Sequence, residues 1–318
     1  MSKSSFFTGQ PIFSQLLFMI SRAAICKFAR KHKADRYCKK FMTFHHLVTM
    51  LYAVYNKCNS LREVATGLLA LDNRIGHILD HFPRRATLSD ANSRRKHEVF
   101  EDIYLYLLEK NQQFLSDSRK KTSKRKLYIF DSTVITLFNE VMRGTGLVDK
   151  NGKRKGGAKV HTLIDSDLDV PRMIRFSEAK NNDVQFLKYA KVPAGSVIVF
   201  DRGYPDFKTY NLFTEQNIMW VTRKKSNAVY EVSYCRYIDP AHADSGVESD
   251  EEILLGNDHH KNAVKVKARL IRYTDRKTGK SFEFLTNNFK MSPLTIANYY
   301  KKRWQIELLF KRLKQNYP

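Results

Sequence analysis

LYIFDSTVITL, residues 127–137, is the stretch that decides the fold. Its first four residues are apolar, and their β-branched and aromatic side chains favour a strand. A second run, VIVF at 197–200, has the length and composition of a strand buried on both faces. Asp131 follows the first apolar run and Asp201 follows the second. Because a buried carboxylate is costly unless it is paired or bound to a cation, the matched runs predict a polar site at the strand ends.

Further predicted elements place these two runs in a larger sheet. Turn sequences separate the short strands, and segments with apolar residues at helical spacing lie between the later ones. The predicted order is three strands (127–137, 158–165 and 170–176), a helix (182–190), a strand (197–200), a helix (205–217) and a strand (218–223). This order indicates a mixed α/β sheet.

The region before the sheet has a different pattern. Residues 1–120 carry apolar residues at three- and four-residue spacing, which predicts an all-helical domain. A helix-turn-helix reader of DNA and a plain helical bundle with a basic face both fit this region. The charged segment 119–126 predicts a linker, so that residues 121–223 hold the first part of the α/β domain.

Two further segments complete the predicted organisation. Residues 224–285 alternate between apolar and polar at period two, which predicts a β-rich insertion. Within it, residues 237–260 contain several acids and no Lys or Arg, so we expect a mobile acidic loop. Residues 286–318 predict one long C-terminal helix with Ser292 as its N-cap.

The composition points to a polyanion as partner. The 318 residues carry a formal net charge of +24 and give a pI near 9.8, so nucleic acid is the simplest partner. The four cysteines show neither CxxC pairing nor metal-ligand spacing, which argues against a zinc site or a disulfide framework. No apolar run approaches the roughly 18 residues that a membrane span needs, so we expect a cytoplasmic protein without a membrane partner.

The C-terminal segment YYKKRWQIELLFKRLKQNYP, residues 299–318, contains a single acid, Glu307. On a helical wheel an apolar stripe docks the helix, and the polar flank beside it comprises Tyr300, Arg303, Glu307 and Lys314. One interpretation of Glu307 is a solvated pair with Arg303, worth about 0.3–0.5 kcal/mol. The other joins Glu307 to the two strand-end aspartates.

Three carboxylates, from Asp131, Asp201 and Glu307, would suit a divalent cation. Mg²⁺ prefers a few carboxylates together with water and phosphate oxygens. Two such ions about 4 Å apart activate a water or a 3′-hydroxyl and stabilise the leaving oxygen of a phosphodiester. The acids and the basic charge together favour metal-dependent chemistry on nucleic acid.

With these residues the chain resembles the DDE-type insertion-sequence transposases of the IS-four group. The last block of that family reads Y-x2-R-x3-E-x6-K, which Tyr300, Arg303, Glu307 and Lys314 match. DRGY at 201–204 resembles the second block, and DSTVI at 131–135 resembles the first, followed by a KVH-type strand at 159–161. TLSDANSRR at 87–95 resembles part of the leading domain, so the resemblance covers nearly the whole chain.

The resemblance implies a ribonuclease-H-like catalytic domain that is interrupted by the β-rich insertion and preceded by the all-helical N-terminal domain. Asp131, Asp201 and Glu307 would be the catalytic residues and bind two Mg²⁺ ions, for which Mn²⁺ would substitute. Double-stranded DNA would be cut at the terminal inverted repeats of the element, and the freed 3′-hydroxyl would attack target DNA. The resemblance also implies a homodimer on DNA and a location at the nucleoid in the bacterial cytoplasm.

Other residues receive roles by the same resemblance. Tyr300, Arg303 and Lys314 would contact DNA phosphates near the cut. For Arg202, a phosphate contact and a structural ion pair both remain open. We expect His161 to pack on its strand or orient Asp131 rather than bind metal, because a neutral imidazole suits zinc better than Mg²⁺. Both tryptophans, Trp220 and Trp304, are expected in the core.

Family members usually continue well beyond the last Lys of the signature, so we expect this chain to be truncated at its C-terminus. Two alternatives to an active transposase follow from that expectation and from the chemistry. One is a catalytically impaired remnant that occupies the ends of the element. The other is a related DNA nuclease without joining activity.

Overall fold

The computed structural model describes residues 12–71, 75–76, 78–112, 125–137, 156–179, 183–256 and 264–316. By its contacts the chain divides into two compact units, Met1–Leu115 with Gln315–Pro318, and Ser116–Lys314. Most of the predicted linker, residues 119–124, lies outside the described residues.

In its described residues, the first unit consists of α-helices around an apolar core. Two of the helices begin at serine caps, where Ser21 accepts a hydrogen bond from Ala24 N and Ser60 accepts one from Glu63 N. The helices are α1 (Ile12–Phe18), α2 (Arg22–Lys31), α3 (Thr43–Tyr55), α4 (Leu61–Leu69), α5 (Arg85–Arg94) and α6 (His97–Lys110). Fully buried side chains from α3 to α6 form the centre of the core: Val48, Leu68, Leu88 and Val99.

The second unit combines strands and helices. Its strands are β1 (Leu127–Leu137), β2 (Gly156–Asp165), β3 (Val170–Glu178), β4 (Val197–Phe200), β5 (Met219–Arg223), β6 (Tyr230–Cys235), β7 (Val247–Leu255), β8 (Val266–Thr274) and β9 (Ser281–Thr286). Its helices are a 3₁₀ helix (Asp183–Tyr189), α7 (Phe207–Glu215), α8 (Pro240–Asp244), α9 (Pro293–Lys301) and α10 (Trp304–Asn316).

The nine described strands form one sheet in the order β3-β2-β1-β4-β5-β9-β8-β7-β6. The central strands β1, β4 and β5 run parallel, and the remaining neighbours pair antiparallel. The predicted mixed α/β sheet is therefore confirmed. Strands β6 to β9, from the segment predicted to be an insertion, extend this same sheet beyond β5.

Alternation along β1 and β4 determines which face of the sheet receives each acid. Tyr128 and Phe130 pack into one apolar cluster, whereas Leu127 and Ile129 belong to clusters on the opposite face. Since successive strand residues alternate between faces, Asp131 continues the face of Leu127 and Ile129. The same alternation on β4 assigns Asp201 to that face.

Helices α9 and α10 cover the face that carries the two acids. Ile296 of α9 packs in a cluster with Val199 of β4, and Ile306 of α10 packs with Ile129 of β1. All four side chains are fully buried. At about 1.5–3 kcal/mol for each large aliphatic side chain, this burial holds the two helices against the strands that carry the aspartates.

The predicted single C-terminal helix is wrong, because the structure has two helices that meet at Lys302–Arg303. At the junction the backbone N–H of Arg303 donates to Tyr300 O at 2.9 Å, and that of Ile306 donates to Arg303 O at 3.2 Å. Hydrogen bonds that span three residues tighten a helix into a 3₁₀ turn. Neither Pro nor Gly stands at this point, so the sequence contains no signal for the break.

The predicted mobile acidic loop at 237–260 is also wrong in most of its length. Residues 240–244 form α8, and residues 247–255 form β7 in the middle of three antiparallel strands. Three of the four acids of β7 pair with arginines: Asp250 with Arg269, Glu251 with Arg272 and Glu252 with Arg236. Cations from the neighbouring strands thus neutralise a run that looks solvated in sequence. Residues 257–260 lie outside the described part of the chain.

Among the described residues, no single helix has the length and apolar composition to cross a membrane. One bent pair, α1 with α2 at 61°, meets those two criteria jointly.

Candidate active site

The strand register brings Asp131 and Asp201 side by side. Phe130 of β1 pairs with Phe200 of β4 in a parallel ladder, and an aspartate follows each phenylalanine. Asp131 lies within β1, whose pairing with β2 continues to Leu137. Asp201 lies where β4 ends and a turn begins. Asp131 is therefore held within a paired strand, whereas Asp201 lies at the start of a loop.

Helix α9 contributes Tyr300 to the acids. The helix starts at Ser292, whose hydroxyl accepts from Thr295 N at 3.3 Å, and Pro293 occupies its first position. At its far end the hydroxyl of Tyr300 donates to Asp201 Oδ1 at 3.0 Å. The Tyr300 ring packs against Phe284 of β9, with ring centroids 5.1 Å apart. The aromatic contact fixes the direction in which the hydroxyl points.

Arg303, at the junction of α9 and α10, bridges the other two acids. Its Nη1 donates to Asp131 Oδ2 at 2.8 Å, and its Nη2 donates to Glu307 Oε1 at 2.5 Å. The Arg303 side chain is only 16% exposed. The structure therefore brings together five of the predicted site residues: Asp131, Asp201, Tyr300, Arg303 and Glu307. Both earlier interpretations of Glu307 apply, since it pairs with Arg303 and also belongs to the acid cluster.

Burial raises the pKa of Asp131 to about 6. A backbone hydrogen bond from Ser132 N at 2.8 Å and the nearby Arg303 oppose the rise, while Asp201 and Glu307 add to it. Burial therefore outweighs the effect of the arginine in contact with the carboxylate. Burial acts to lower the pKa of Arg303, but Tyr300 and the surrounding acids outweigh it and raise that pKa.

Carboxylate oxygens from Asp131, Asp201 and Glu307 are donors that suit a hard divalent cation. In the described part of the chain, however, no group of three or more His, Cys, Asp or Glu side chains is arranged to hold a metal ion. Arg303 donates to one oxygen of Asp131 and to one of Glu307, and so supplies positive charge between these two acids. Arg303 Nε is buried without a hydrogen-bond partner among the described residues. The carboxylate oxygens are chemically suited to a cation, and in this structure Arg303 provides the positive charge beside them.

Two predicted phosphate-binding residues are not drawn into the cluster. Lys314, in the last turn of α10, is exposed and makes no hydrogen bond or salt bridge to a described residue. Arg202 is exposed beside Asp201 and likewise forms no salt bridge within the described chain. It lines a cleft of about 540 Å³ together with Asp201 and Lys225. Both cations are accessible to a bound anion.

Sequence reasoning missed a second polar cluster next to Asp131. Asp183, at the start of the 3₁₀ helix, accepts from Ser132 Oγ at 3.1 Å and forms a salt bridge with Lys159 at 3.2 Å. Asp183 also lies 3.6 Å from Nδ1 of His161. The signal available in sequence was the position of Ser132 directly after Asp131. The partner of Ser132, Asp183, lies far away in the sequence, so no local pattern connects the two residues.

His161 packs on its strand, as one of its predicted roles requires. Its ring stacks on Phe186 at 3.7 Å, and its Nε2 lies 2.9 Å from Ser177 Oγ. Burial lowers the pKa of His161 to about 4. The two tryptophans differ: Trp220 is fully buried, whereas Trp304 is 60% exposed, so its predicted core position is wrong.

Two family models match the chain. The transposase DDE domain matches residues 122–317, a span that contains every residue of the acid cluster. A domain of unknown function, DUF4372, matches residues 8–78 in the first unit.

Two relatives among known proteins are also named as transposases. A protein of Sinorhizobium fredii named as a transposase, y4zB, is 33% identical over 74% of this chain. A protein of Synechocystis named as a transposase for the insertion sequence element IS4SA is 27% identical over 73% of this chain. This chain spans 63% of the length of the first relative and 62% of the second.

Among solved structures, a piggyBac transposase synaptic complex with hairpin DNA aligns over 94% of this chain and 66% of its own. Its identity of 11% and TM-score of 0.41 are too low to carry an argument about fold or function. The DDE domain model, in contrast, covers well over half of the residues. On that match, the chain belongs to the family of DDE-type insertion-sequence transposases.

Proposed function

We propose that this chain is a metal-dependent DNA transposase, which cleaves DNA at the ends of an insertion sequence and joins the freed 3′ end to target DNA. One observation carries the proposal. Arg303 joins Asp131 to Glu307 on the same face where Tyr300 holds Asp201. Three acids from distant parts of the sequence therefore lie around one set of contacts, within the segment that the DDE domain matches.

A DDE domain implies dependence on a divalent metal ion. We assign Mg²⁺ as that metal, with Mn²⁺ as a substitute, and Asp131, Asp201 and Glu307 as the residues that hold two ions. When bound, such ions supply activation of a water or 3′-hydroxyl and stabilisation of the leaving oxygen. The closeness of Asp131 to Asp201 and Glu307 supports this assignment, because both acids add to the rise that burial causes in the pKa of Asp131, and a bound cation would offset their repulsion.

The surrounding residues act on the substrate and on the acids. Tyr300 orients Asp201 through its hydroxyl. Arg303 holds Asp131 and Glu307 together and would offer its guanidinium to a phosphate. Exposed Lys314 and Arg202 offer further contacts to phosphates.

The proposal extends to fold and domain organisation. We assign the sheet around β1, β2, β3, β4 and β5 to a ribonuclease-H-like core, in residues 121–223 and completed by 286–318. Residues 224–285 are then the β-rich insertion, and residues 1–120 are an all-helical domain that binds DNA. The Y-x2-R-x3-E-x6-K pattern favours the IS-four group within the family.

We further propose double-stranded DNA as the partner, both at terminal inverted repeats and at the target, bound by a homodimer in the bacterial nucleoid. The net charge of +24 supports a DNA partner, since phosphates dominate affinity for basic proteins. A strong decrease of affinity between low and moderate salt is the expected signature.

The test is incubation of the chain with Mg²⁺ and a plasmid that carries its gene with the flanking DNA. Nicked ends and joined products are expected from the parent and absent from Asp131→Ala, Asp201→Ala and Glu307→Ala. Glu231→Ala serves as a control, because Glu231 is an exposed acid on β6. Full cutting by any of the three site variants contradicts the site. Binding without nicking in the parent indicates a DNA-binding remnant, and nicking without joining indicates a nuclease.

A further inference from the structure

The first unit contains a cation-lined cleft of about 370 Å³ between the loop that precedes α3 and helix α5. Lys39 and Lys40 contribute from the loop and Arg94 from the helix. Among the described residues that line the cleft there is no acid. Arg94 pairs with Asp90 on the outer face of α5 at 2.5 Å, whereas Lys39 and Lys40 are exposed and form no salt bridge with a described residue.

A buried arginine holds the shape of this loop. Arg95 is 8% exposed, and its Nη2 donates to the carbonyl of Phe41 and to Asp35 Oδ1, the latter at 3.3 Å. Asp35 also accepts from the backbone N–H of Thr43 at 2.7 Å and from its hydroxyl at 2.8 Å. The single acid within residues 30–40 is therefore engaged in internal contacts, and the lysines of the loop are left to face solvent.

The tip of the loop presents an aromatic side chain under backbone strain. Tyr37 is 82% exposed and has a φ of 62°, in the left-handed region that a bulky residue rarely adopts. The guanidinium of Arg36 lies over its ring, 4.8 Å from the centroid. Strained and exposed conformations that surrounding contacts maintain are concentrated at binding sites.

We propose that this cleft is a docking site for the backbone of duplex DNA, in which Lys39 and Lys40 bind phosphates and Tyr37 contacts the adjacent sugar. The inference rests on the proposed function for its choice of DNA, and it assigns a surface that the acid cluster does not include. Two adjacent lysines on an anchored loop bind successive phosphates without first having to be ordered, which limits the entropic cost of binding. The contacts read no bases, so binding there is independent of sequence.

The first experiment measures affinity of the full chain for a random-sequence duplex by fluorescence anisotropy over a range of salt concentrations. Lys39→Ala with Lys40→Ala is expected to weaken binding roughly tenfold or more at low salt. Each lost phosphate contact also reduces the slope of log K against log salt by about 0.9. The matched control is Lys27→Ala with Lys110→Ala, which removes the same charge from exposed positions on α2 and α6.

Two outcomes overturn the proposal. One is a cleft variant that keeps the affinity and slope of the parent. The other is a control variant that loses as much affinity as the cleft variant, because total charge alone would then explain binding. Both outcomes are separate from failure of the proposed function, which is tested by DNA cutting with the Asp131, Asp201 and Glu307 variants.

Tyr37→Asn provides an independent test. Asn tolerates the left-handed region, so the variant is expected to keep or raise the thermal midpoint of the parent. Loss of the contact between the ring and the sugar is expected to lower DNA affinity severalfold in the same protein. If the stable Tyr37→Asn variant binds DNA as tightly as the parent, Tyr37 has no role in binding. If the variant with Lys39→Ala and Lys40→Ala also binds as tightly, the cleft is not a DNA-binding site.

Discussion

Two arginines in the second unit are bound to acids in opposite ways. Arg269, on β8, is saturated: Nε and Nη2 bind the two oxygens of Asp250 at 2.7 and 2.5 Å, and Nη1 donates to the carbonyls of Asn288 and Met291. Arg303 divides its contacts between Asp131 and Glu307, and its buried Nε has no partner in the described part of the chain.

The two arginines differ in whether their contacts are complete, and this difference distinguishes a purely structural ion pair from a candidate functional one. The Arg269–Asp250 pair is 3% and 4% exposed, the guanidinium binds both oxygens of the carboxylate, and Arg236 adds a second, longer contact to Asp250 at 3.8 Å. Around Arg303 the acids outnumber the cation, and the pKa of Asp131 is raised to about 6. We propose that such a set of contacts, incomplete and surrounded by acids, is one that a bound cation would stabilise.

The largest expected effect on stability concerns the buried pair of Arg269 and Asp250. Arg269→Ala leaves the buried Asp250 with only the more distant Arg236, 3.8 Å away, and we expect the free energy of unfolding to decrease by about 3 kcal/mol. Urea unfolding monitored by circular dichroism measures it. The double variant Arg269→Met with Asp250→Leu should recover much of the loss, because both charges are removed together. Equal losses in the single and double variants would contradict a saturated pair.

The next prediction concerns pH and compares Asp131 with His161. The folded pKa of Asp131, about 6, lies above its unfolded value, so its contribution to stability is present at low pH and is lost as pH rises towards 6. The folded pKa of His161, about 4, lies below its unfolded value near 6.5, so its contribution is lost as pH falls from 6.5 towards 4. Each effect amounts to at most about 3 kcal/mol, and the two oppose each other.

Metal-free unfolding at several pH values between 4 and 6.5 separates these contributions. Asp131→Asn should lose stability more steeply on acidification than the parent, because only the histidine effect remains. His161→Gln should lose stability less steeply, or gain it. Three parallel stability profiles would refute both assignments.

A third prediction tests whether Arg303 stands where a cation binds. Arg303→Ala should decrease the free energy of unfolding by about 2 kcal/mol, since Asp131 loses a charge-assisted hydrogen bond. Mg²⁺ should restore much of that loss and stabilise this variant more than it stabilises the parent. The readout is the thermal midpoint with and without Mg²⁺. Arg269→Ala is the matched control, and rescue of both variants to the same extent would remove the distinction between the two arginines.

The smallest expected effect concerns Tyr300. Tyr300→Phe removes the hydrogen bond to Asp201 and keeps the ring packed against Phe284, so we expect a decrease of about 1 kcal/mol in unfolding free energy. Tyr273→Phe is the control, because Tyr273 packs on the same Phe284 and its hydroxyl has no partner among the described residues. A larger loss for Tyr273→Phe than for Tyr300→Phe would argue against the Asp201 contact.

The strands of the candidate site could be predicted from the sequence because burial on both faces leaves a plain signature. VIVF and LYIF contain no polar residue, and an acid directly after each run identifies the position of Asp131 and Asp201. The register that aligns them, Phe130 with Phe200, was not available from local pattern. It depends on long-range pairing of strands that are separated by two other strands in the chain.

The misplaced elements share a different cause. Asp250, Glu251 and Glu252 suggested solvent because their arginine partners lie on other strands, so neutralisation is invisible to a local window. The junction at Arg303 carries no Gly or Pro, and its bend coincides with the contact to Asp131 instead. Asp183 escaped notice for the same reason, since it acquires meaning only beside Ser132 and Lys159.

The junction at Lys302–Arg303 has a consequence for how the acids can adjust. Helix α9 is attached to the β8–β9 side of the sheet. Arg269 on β8 donates hydrogen bonds to the carbonyls of Asn288 and Met291, which lie just before the first turn of the helix. Helix α10 is tied to the opposite side, through Gln305 to Ser166 and through Arg312 to Asp169. Tyr300 and Glu307 therefore lie on two helices that are anchored separately and meet at the Lys302–Arg303 junction. Glu307 and Tyr300 are thus positioned from opposite sides of the sheet, and we expect a substitution that loosens one helix to leave the acid contact of the other helix in place.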